Sequence, residues 1–253
     1  MSKSNLAVKE ELENVAVEDV IIINQNEQEN YRPSKDKEIR VNNNLSYLIM
    51  KKIVDIIAGI LGTILLVPLI AVVWFIRICL HENDGPLFFE QIRIGKNGKQ
   101  FRMYKFRTMV MEADEKLYRY LEENPEAKKE YKKYKKLKND PRITKLGNIL
   151  RETSLDEFPQ FVNILKGEMS LVGPRPYLYR EKEDLGEYYY NSITKVKPGI
   201  TGYWQVNGRN DVDFEERAYM DTYYIERRGI VMDLKIISVS YTHLRAHETR
   251  SNL

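Results

Sequence analysis

The sequence has very little cysteine, since Cys79 is the single one among 253 residues. An internal disulfide framework is therefore excluded, and nothing points to an oxidising compartment. The first 30 residues also do not contain a charged segment followed directly by an apolar stretch, as a cleavable signal peptide would have. We therefore expect the reactive face of the protein to lie in the cytoplasm.

The first part of the chain has little apolar character. Residues 1–30 carry seven acids against two lysines, whereas the whole chain has a net charge of +3. We predict that residues 1–45 form a mobile polar extension without chemistry of its own. The full chain is 43% hydrophobic, which is enough to bury a core in the remainder.

A long apolar run follows Lys51-Lys52: residues 56–76 contain no charge, and Asp55 lies just before them. The run could span a bilayer as an ordinary transmembrane helix. Two features favour a re-entrant helical hairpin over residues 53–80 instead. Pro68 interrupts the run, and a proline removes a helix hydrogen bond. Basic residues also flank both ends, which favours one compartment for both flanks; they are Lys35, Lys37, Arg40, Lys51 and Lys52 before the run and Arg77, Arg93 and Lys96 after it. Asp55 can pair with Lys51 or Lys52 one turn back, but we favour a buried polar anchor.

Two further segments have clear local patterns. Residues 85–109 alternate apolar and polar side chains around Asn97-Gly98, which predicts a β-hairpin. Residues 112–138 read as two charged helices divided at Asn124-Pro125, and the second is rich in lysine. This lysine run is either a solvated face or a surface against anionic headgroups, and no nucleic-acid-binding motif accompanies it.

The segment from Thr153 to Pro176 combines two adjacent carboxylates with an arginine held between prolines. Ser154 followed by Glu157 is a capping-box pattern, so we expect a helix to begin near Ser154 and to end at Lys166-Gly167. An extended stretch over residues 169–172 then leads into Gly173-Pro174-Arg175-Pro176, where the prolines hold Arg175 in a stiff loop.

Asp156 and Glu157 allow two interpretations. Two acids in the first turn of a helix can simply interact favourably with the positive end of the helix dipole. Pro159 is compatible with that turn, where its missing N–H is tolerated. Alternatively, the carboxylates hold a divalent cation and supply a nucleophile while Arg175 receives phosphate oxygens. Further along, residues 195–210 read either as a packed aromatic turn or as a loop over a ligand, with Arg209 available for phosphate.

Several motifs in this order resemble the bacterial sugar transferases, also called monotopic phosphoglycosyl transferases. They are KKIVDIIAG with a proline inside the apolar run, GPLFFEQIRIGKNGKQFRMYKFRTM, DPRITKLGNILRETSLDEFPQFVNILKGEMSLVGPRP and KPGITGYWQVNGRN. The resemblance covers about residues 51–237. It implies an α+β, mainly helical module that is membrane-associated and monotopic, with a re-entrant helical hairpin and a small β-hairpin.

The resemblance also implies a reaction. A hexose 1-phosphate, galactose or glucose, would move from a UDP-sugar to undecaprenyl phosphate at the bacterial cytoplasmic membrane, with the catalytic face in the cytoplasm. Asp156 would be the nucleophile and Glu157 its partner, and both would hold Mg²⁺. Pro174, Arg175 and Pro176 would bind the donor. Apart from the resemblance, the residues themselves add substrate-binding candidates: Arg93, Lys105 and Arg107 of the predicted hairpin either meet phosphates or form a solvated strand face, and Arg209 is available for phosphate. Undecaprenyl phosphate, the UDP-sugar and inner-membrane lipid are the expected partners, nucleic acid is not, and a homodimer is left open.

These expectations divide the chain into three parts. Residues 1–45 are the extension, residues 46–237 form the sugar transferase domain with the lysine-rich insertion at 112–138, and residues 238–253 are interpreted as a non-native tail because they resemble a translated sequencing adapter. Two other functions stay open from the sequence: a membrane-anchored adaptor without catalysis, and a lipid glycosyltransferase that releases UDP.

Overall fold

The computed structural model describes residues 39–82, 84–134, 137–207 and 213–250. Its described helices are α1 (Leu45–Cys79), α2 (Ala113–Glu123), α3 (Pro125–Tyr134), α4 (Lys145–Glu152), α5 (Gln160–Leu165), α6 (Lys182–Ile193), α7 (Tyr203–Asn207), α8 (Phe214–Arg227) and α9 (Ile230–Arg250). The strands are β1 (Phe88–Ile94), β2 (Gln100–Phe106), β3 (Ser170–Val172) and β4 (Gly199–Thr201), in two separate pairs. The predicted class, mainly helical with a small β component, is confirmed.

The predicted β-hairpin is present as β1 and β2. The strands are antiparallel, with Phe88 opposite Phe106 and Ile94 opposite Gln100. Asn97 and Gly98 turn the chain with φ angles of 58° and 71°, values that asparagine and glycine tolerate better than other residues. The hairpin buries one face of β2 and so fixes the direction in which Lys105 projects.

α1 is one continuous helix of 35 residues that includes Pro68. Among the described residues it is the one helix long and apolar enough to cross a membrane. The predicted helix–break–helix form of the hairpin is not seen at the level of the backbone, since the chain stays helical through Pro68. A proline here removes a hydrogen bond without ending the helix, because packing of the neighbouring turns holds it.

Only one stripe of α1 is buried, and it runs along almost the whole helix. The stripe is Tyr47, Gly59, Gly62, Leu66, Val73 and Arg77. Two of these positions are glycines that let α5 approach closely: a Cβ on Gly62 would lie 2.2 Å from Phe161 Cγ, and one on Gly59 would lie 2.7 Å from Leu165 Cδ2. The opposite face of α1 exposes large apolar side chains, including Ile57, Leu61, Ile64, Leu65, Val67, Trp74 and Phe75.

The lysine-rich insertion forms two helices, α2 and α3, divided at Asn124-Pro125 as predicted. Leu117 is buried on α2, and the Asn124 side chain closes that helix by donating to the Tyr120 carbonyl oxygen at 2.9 Å. Leu117 is the one buried residue of these two helices among those whose burial the structure describes, so the insertion has little buried apolar surface there.

The last part of the chain builds the main core. α6, α8 and α9 pack together around Tyr177, Tyr203, Tyr223 and Tyr224, which are almost fully buried. This core supports the parallel pair β3–β4, in which Ser170 lies opposite Gly199 and Val172 opposite Thr201. α9 continues from Ile230 to Arg250 without interruption at residue 237.

Candidate active site

Asp156 and Glu157 lie in a single 3₁₀ turn, Leu155–Glu157, between α4 and α5. The predicted capping box is wrong: Ser154 has a φ of 56°, in the left-handed region, and its side chain caps nothing. The reason is that Ser154 closes the preceding helix, since its N–H donates to the Arg151 carbonyl oxygen at 3.2 Å. α5 begins instead after Pro159, and it ends before Gly167, which has a φ of 74°, as predicted.

The turn forms one wall of a large open cavity of about 1230 Å³. The Asp156 side chain retains 13% of its exposure there. Burial raises the pKa of Asp156, the Lys105 ammonium lowers it, and the Glu157 carboxylate raises it. Asp156 is thus a poorly solvated carboxylate whose ionised form depends on nearby positive charge.

Lys105 supplies that charge from β2. Its Nζ lies 2.5 Å from Glu157 Oε1 and 3.9 Å from Asp156 Oδ2. Both contacts cross from the hairpin to the Leu155–Glu157 turn, 52 residues apart for the Glu157 bond. The structure therefore brings three of the residues singled out in the sequence, Lys105, Asp156 and Glu157, into one cluster.

Further cations line the same cavity, although the sequence pattern singled out only some of them. They are Arg93, Arg107, Arg142, Arg151 and Arg180. Arg107 donates from Nε to the Pro86 carbonyl oxygen at 3.0 Å and lies over the Phe89 ring. Arg151 donates from Nε to Thr108 Oγ1 at 2.9 Å and also acts on Asp156 electrostatically. The sequence signal for Arg151 was its position in the last turn of α4, five residues before Asp156.

The proline-flanked loop lies beside the cavity. Arg175 is not among the residues that line it, but its guanidinium lies 5.7 Å from the ring of Trp204, which does line it. The same guanidinium is 5.7 Å from the Tyr177 ring, and Nη2 is 3.5 Å from Glu181 Oε1. Arg175 Nε is buried and has no hydrogen-bond partner among the described residues. Pro174 and Pro176 border Arg175, and Arg93 Nη1 donates to the Pro176 carbonyl oxygen at 2.8 Å.

Glycines let two segments meet beneath this loop. A Cβ on Gly173 would lie 2.6 Å from the Lys197 carbonyl oxygen, and one on Gly202 would lie 2.3 Å from the Gly173 carbonyl oxygen. The glycines of the 195–210 segment therefore allow close approach to protein backbone, where the sequence suggested a ligand. Arg209, the remaining site residue named from the sequence, lies outside the described residues.

Asp55 is a partly buried polar anchor that joins β3 to α1, and among these described residues it makes no ion pair with Lys51 or Lys52. Asp55 Oδ1 accepts from Ser170 Oγ at 2.9 Å and from the Leu171 N–H at 2.8 Å. Lys51 instead lies 2.7 Å from Asp233 Oδ2 and donates to the Val172 carbonyl oxygen at 2.9 Å. These contacts hold the strand that leads into the Arg175 loop.

Sequence reasoning did not single out Asp221 on α8, which contacts the Arg175 loop. Its side chain is fully buried, and Oδ2 accepts from the Arg175 N–H at 3.1 Å and from the Tyr177 hydroxyl at 3.0 Å. Burial raises the pKa of Asp221 to about 7, against the lowering effect of these two hydrogen bonds. The only sequence signal was an acid among apolar and aromatic residues of a helix.

The acidic pair fits a magnesium ion that is bound partly by protein carboxylates and partly by the phosphate oxygens of a substrate. Mg²⁺ is held in proteins by one or two carboxylates and takes the rest of its oxygens from water and phosphate groups. Asp156 and Glu157 provide two adjacent carboxylates on the wall of an open cavity. No cluster of three or more acidic, histidine or cysteine residues that could hold a metal occurs within the described ranges. A closed all-protein metal cage is therefore absent from that part of the chain.

The chain is similar to known bacterial proteins over most of its length. A family model described as bacterial sugar transferase matches residues 46–245. The undecaprenyl-phosphate galactose phosphotransferase of Salmonella typhimurium is 43% identical over 205 residues, which are 79% of this chain and 42% of that protein. The exopolysaccharide production protein ExoY of Sinorhizobium fredii is 41% identical over 192 residues, covering 75% of this chain and 82% of that protein. The UDP-glucose:undecaprenyl-phosphate glucose-1-phosphate transferase of Klebsiella pneumoniae is 40% identical over 198 residues, or 75% of this chain and 39% of that protein.

The matches differ in how much of each relative they cover. The chain spans about two fifths of the Salmonella and Klebsiella proteins and about four fifths of the Sinorhizobium protein. In each case the matched part is most of this chain. With a family model over 46–245 and relatives above 40% identity, the chain belongs to the bacterial sugar transferase family.

Proposed function

We propose that this chain transfers a hexose 1-phosphate, galactose or glucose, from a UDP-sugar to undecaprenyl phosphate. The product would be the lipid-linked first sugar of an exopolysaccharide, capsule or O-antigen. The names of the Salmonella and Klebsiella relatives support the lipid and the sugar class, and that of the Sinorhizobium relative supports the exopolysaccharide role.

The observation that carries this proposal is the position of Asp156. It is a largely buried carboxylate on the wall of a cavity of about 1230 Å³ that Arg93, Arg107, Arg151 and Lys105 also line. A cavity with many cations and an acidic pair suits a substrate that carries phosphate charge, because the cations offset that charge and leave the carboxylate free to attack.

In the first step, an Asp156 carboxylate oxygen attacks the β-phosphorus of the UDP-sugar. A bond forms between the carboxylate oxygen and the β-phosphorus, the bond from the β-phosphorus to the oxygen bridging it to the α-phosphorus breaks, and UMP leaves with that electron pair. Lys105 keeps Asp156 ionised and, with Arg175, offers positive charge to the diphosphate oxygens. Glu157 holds the Lys105 ammonium in place through its 2.5 Å ion pair.

In the second step, a phosphate oxygen of undecaprenyl phosphate attacks the phosphorus of the aspartyl phosphosugar. The bond between that phosphorus and the Asp156 oxygen breaks, which regenerates the carboxylate and leaves a lipid diphosphate sugar. Magnesium, when held by Asp156 and Glu157, would supply positive charge against the phosphate oxygens during both displacements.

The membrane arrangement we propose is monotopic, with the catalytic face in the cytoplasm and both flanks of α1 on that side. α1 is about 52 Å long at 1.5 Å per residue, longer than a hydrocarbon core of roughly 30 Å. α1 contacts β3 through Asp55 and α5 at Gly59 and Gly62. Further along the helix, Val73 belongs to an apolar cluster that also contains Phe106, Leu146 and Leu150. A helix that packs on one domain along its length cannot cross a bilayer upright without carrying that domain into it.

Cysteine labelling tests this arrangement. Single cysteines at Leu45 and Asn97, in a chain with Cys79 replaced, should both react with a membrane-impermeant reagent from the cytoplasmic side of inside-out vesicles. Reaction of only one of them from that side would establish a single span and exclude the monotopic arrangement.

UMP release tests the reaction. Purified protein given magnesium and UDP-glucose or UDP-galactose, without lipid, should release about one UMP per active site and then stop. The peptide that contains Asp156 should gain a hexose phosphate. Asp156→Asn should abolish both signals, whereas Glu152→Gln, which changes an exposed acid of the same cavity, should keep them.

Three results would count against the proposal. Release of UDP in place of UMP would indicate transfer of the sugar alone. UMP release that depends wholly on added lipid would favour direct attack by the lipid phosphate. The absence of any nucleotide release with lipid present would favour a non-catalytic adaptor.

A further inference from the structure

The Arg175 loop has few backbone donors with which to hold its shape. Pro174 and Pro176 have no N–H, so the Arg175 N–H is the one main-chain donor among these three residues. It donates to Asp221 Oδ2 at 3.1 Å, across 46 residues of sequence. The backbone orientation at Arg175 therefore depends on a side chain of α8.

The same Asp221 oxygen also fixes the ring beneath the arginine. Asp221 Oδ2 accepts from the Tyr177 hydroxyl at 3.0 Å, and the Arg175 guanidinium lies 5.7 Å from the centre of the Tyr177 ring. Tyr177 is only 1% exposed, so the ring has little freedom to choose another position. One carboxylate thus determines both the main chain of Arg175 and the aromatic surface against which its side chain packs.

A purely structural acid would use its oxygens differently. Asp233, the other buried aspartate of this core, pairs with Lys51 and accepts from Tyr47 and Tyr224 with its two oxygens. Asp221 places both of its bonds on Oδ2 and leaves Oδ1 without a hydrogen-bond partner in the described part of the chain. This arrangement is poor for stability and is understandable if the position of Arg175 is what it secures.

We propose that Asp221, acting together with the Tyr177 hydroxyl, is a positioning residue that aligns the Arg175 guanidinium with the diphosphate of the donor. The inference rests on the proposed function, because it assumes that Arg175 binds the donor. It adds a residue on α8, away from the sequence motif, to the determinants of donor binding.

Two tyrosines give a matched test. Tyr177→Phe removes the hydroxyl bonded to Asp221 and keeps the ring, while Tyr224→Phe removes an equally buried hydroxyl that donates to Asp233 Oδ1 at 2.7 Å. UDP is the probe, and its Kd is measured by titration on the full chain in detergent or nanodiscs. We expect Tyr177→Phe to weaken UDP binding by about 2- to 30-fold and Tyr224→Phe to leave the Kd within about twofold of wild type.

The second part of the experiment asks whether the effect passes through Arg175. In an Arg175→Ala background, Tyr177→Phe should change the UDP Kd by no more than about twofold, because the group being positioned is gone. Asp221→Asn retains one carbonyl oxygen for both donors and should bind UDP better than Asp221→Leu, which retains none. If Asp221→Leu fails to fold, the tyrosine pair still decides the question.

Each outcome is informative. An unchanged Kd for Tyr177→Phe, or an equal loss with Arg175 present and absent, would overturn the positioning role and leave the proposed reaction standing. An equal loss in Tyr177→Phe and Tyr224→Phe would indicate general destabilisation and would also overturn it. Unchanged UDP binding in Arg175→Ala would remove the donor-binding role of Arg175 and this inference with it, while the UMP burst from Asp156 would still decide the reaction.

Discussion

Gly62 is the glycine of α1 at which that helix approaches α5 most closely, and Gly62→Ala tests how far this contact supports the candidate site. The new Cβ would lie 2.2 Å from Phe161 Cγ and 2.4 and 2.5 Å from its Cδ1 and Cδ2. The Phe161 ring is rigid, so the whole ring must shift to relieve these three contacts. Phe161 in turn contacts Phe158, at 5.2 Å between ring centres, and Phe158 directly follows Glu157.

The expected magnitude follows from two opposing effects. Alanine in place of glycine inside a helix stabilises by about 1 kcal/mol, and overpacking of this kind costs about 1–3 kcal/mol. Gly59→Ala is the matched control, because its Cβ would lie 2.7 Å from Leu165 Cδ2, the end of a flexible side chain that can rotate away. Gly59→Ala should therefore have the helix benefit with little of the packing cost.

Thermal unfolding in detergent or nanodiscs measures the difference. A gap of about 1–3 kcal/mol corresponds to a Tm for Gly62→Ala that is about 2 to 10 °C below that of Gly59→Ala. Phe161→Leu should recover part of this loss when combined with Gly62→Ala, with a coupling of about 0.5–3 kcal/mol. Equal Tm values for the two glycine variants, or strict additivity with Phe161→Leu, would refute the packing argument.

Three further predictions concern charge and backbone near the site. Lys105→Met should lower the UMP burst rate at neutral pH by about tenfold or more, because Asp156 loses the ammonium that favours its ionised form, and Lys105→Arg should retain most of the rate; equal rates for the two variants would contradict this. The pKa of Asp221 is about 7 in the folded protein, above its ordinary value of 3.8, so protonation of this carboxyl favours the folded state. The resulting stabilisation is complete below pH 3.8 and is lost as the pH rises through 7. The free energy of unfolding should fall by at most roughly 4 kcal/mol over this range. Wild type should therefore lose Tm relative to Asp221→Asn between pH 5 and 8, and parallel Tm curves would exclude the effect. Gly173→Ala should weaken UDP binding and lower Tm, because its Cβ would meet the Lys197 carbonyl oxygen at 2.6 Å and backbone cannot rotate away; wild-type values for both would show that the loops can separate at little cost.

Local chemistry was sufficient to predict several elements from the sequence. The β-hairpin turns at Asn97-Gly98, α5 ends before Gly167, and the insertion divides at Asn124-Pro125, all as the residue types indicate. In each case the decisive preference belongs to one or two residues: positive φ at asparagine and glycine, or the missing N–H of proline. The apolar run likewise predicted a helix suited to a membrane by its composition alone.

Local patterns failed where a competing neighbour used the same residue. Ser154 had the spacing of a capping box, but it closes α4, so Asp156 lies in a 3₁₀ turn and not in the first turn of a longer helix. Asp55 has lysines one turn away, yet it accepts hydrogen bonds from Ser170 and Leu171, because the donors of β3 require an acceptor. Lys51 forms its ion pair with Asp233 instead.

The residue types alone identify the components of the candidate site and the likeness to a family: an acidic pair, a proline-flanked arginine and an apolar helix. Which of these groups meet depends on how the chain packs. Lys105 reaches Asp156 and Glu157 across 52 residues for the Glu157 bond, and Asp221 reaches Arg175 across 46. No periodicity encodes such pairs, because they depend on how the hairpin, the Leu155–Glu157 turn and α8 pack, and packing is a property of the whole chain rather than of any one segment.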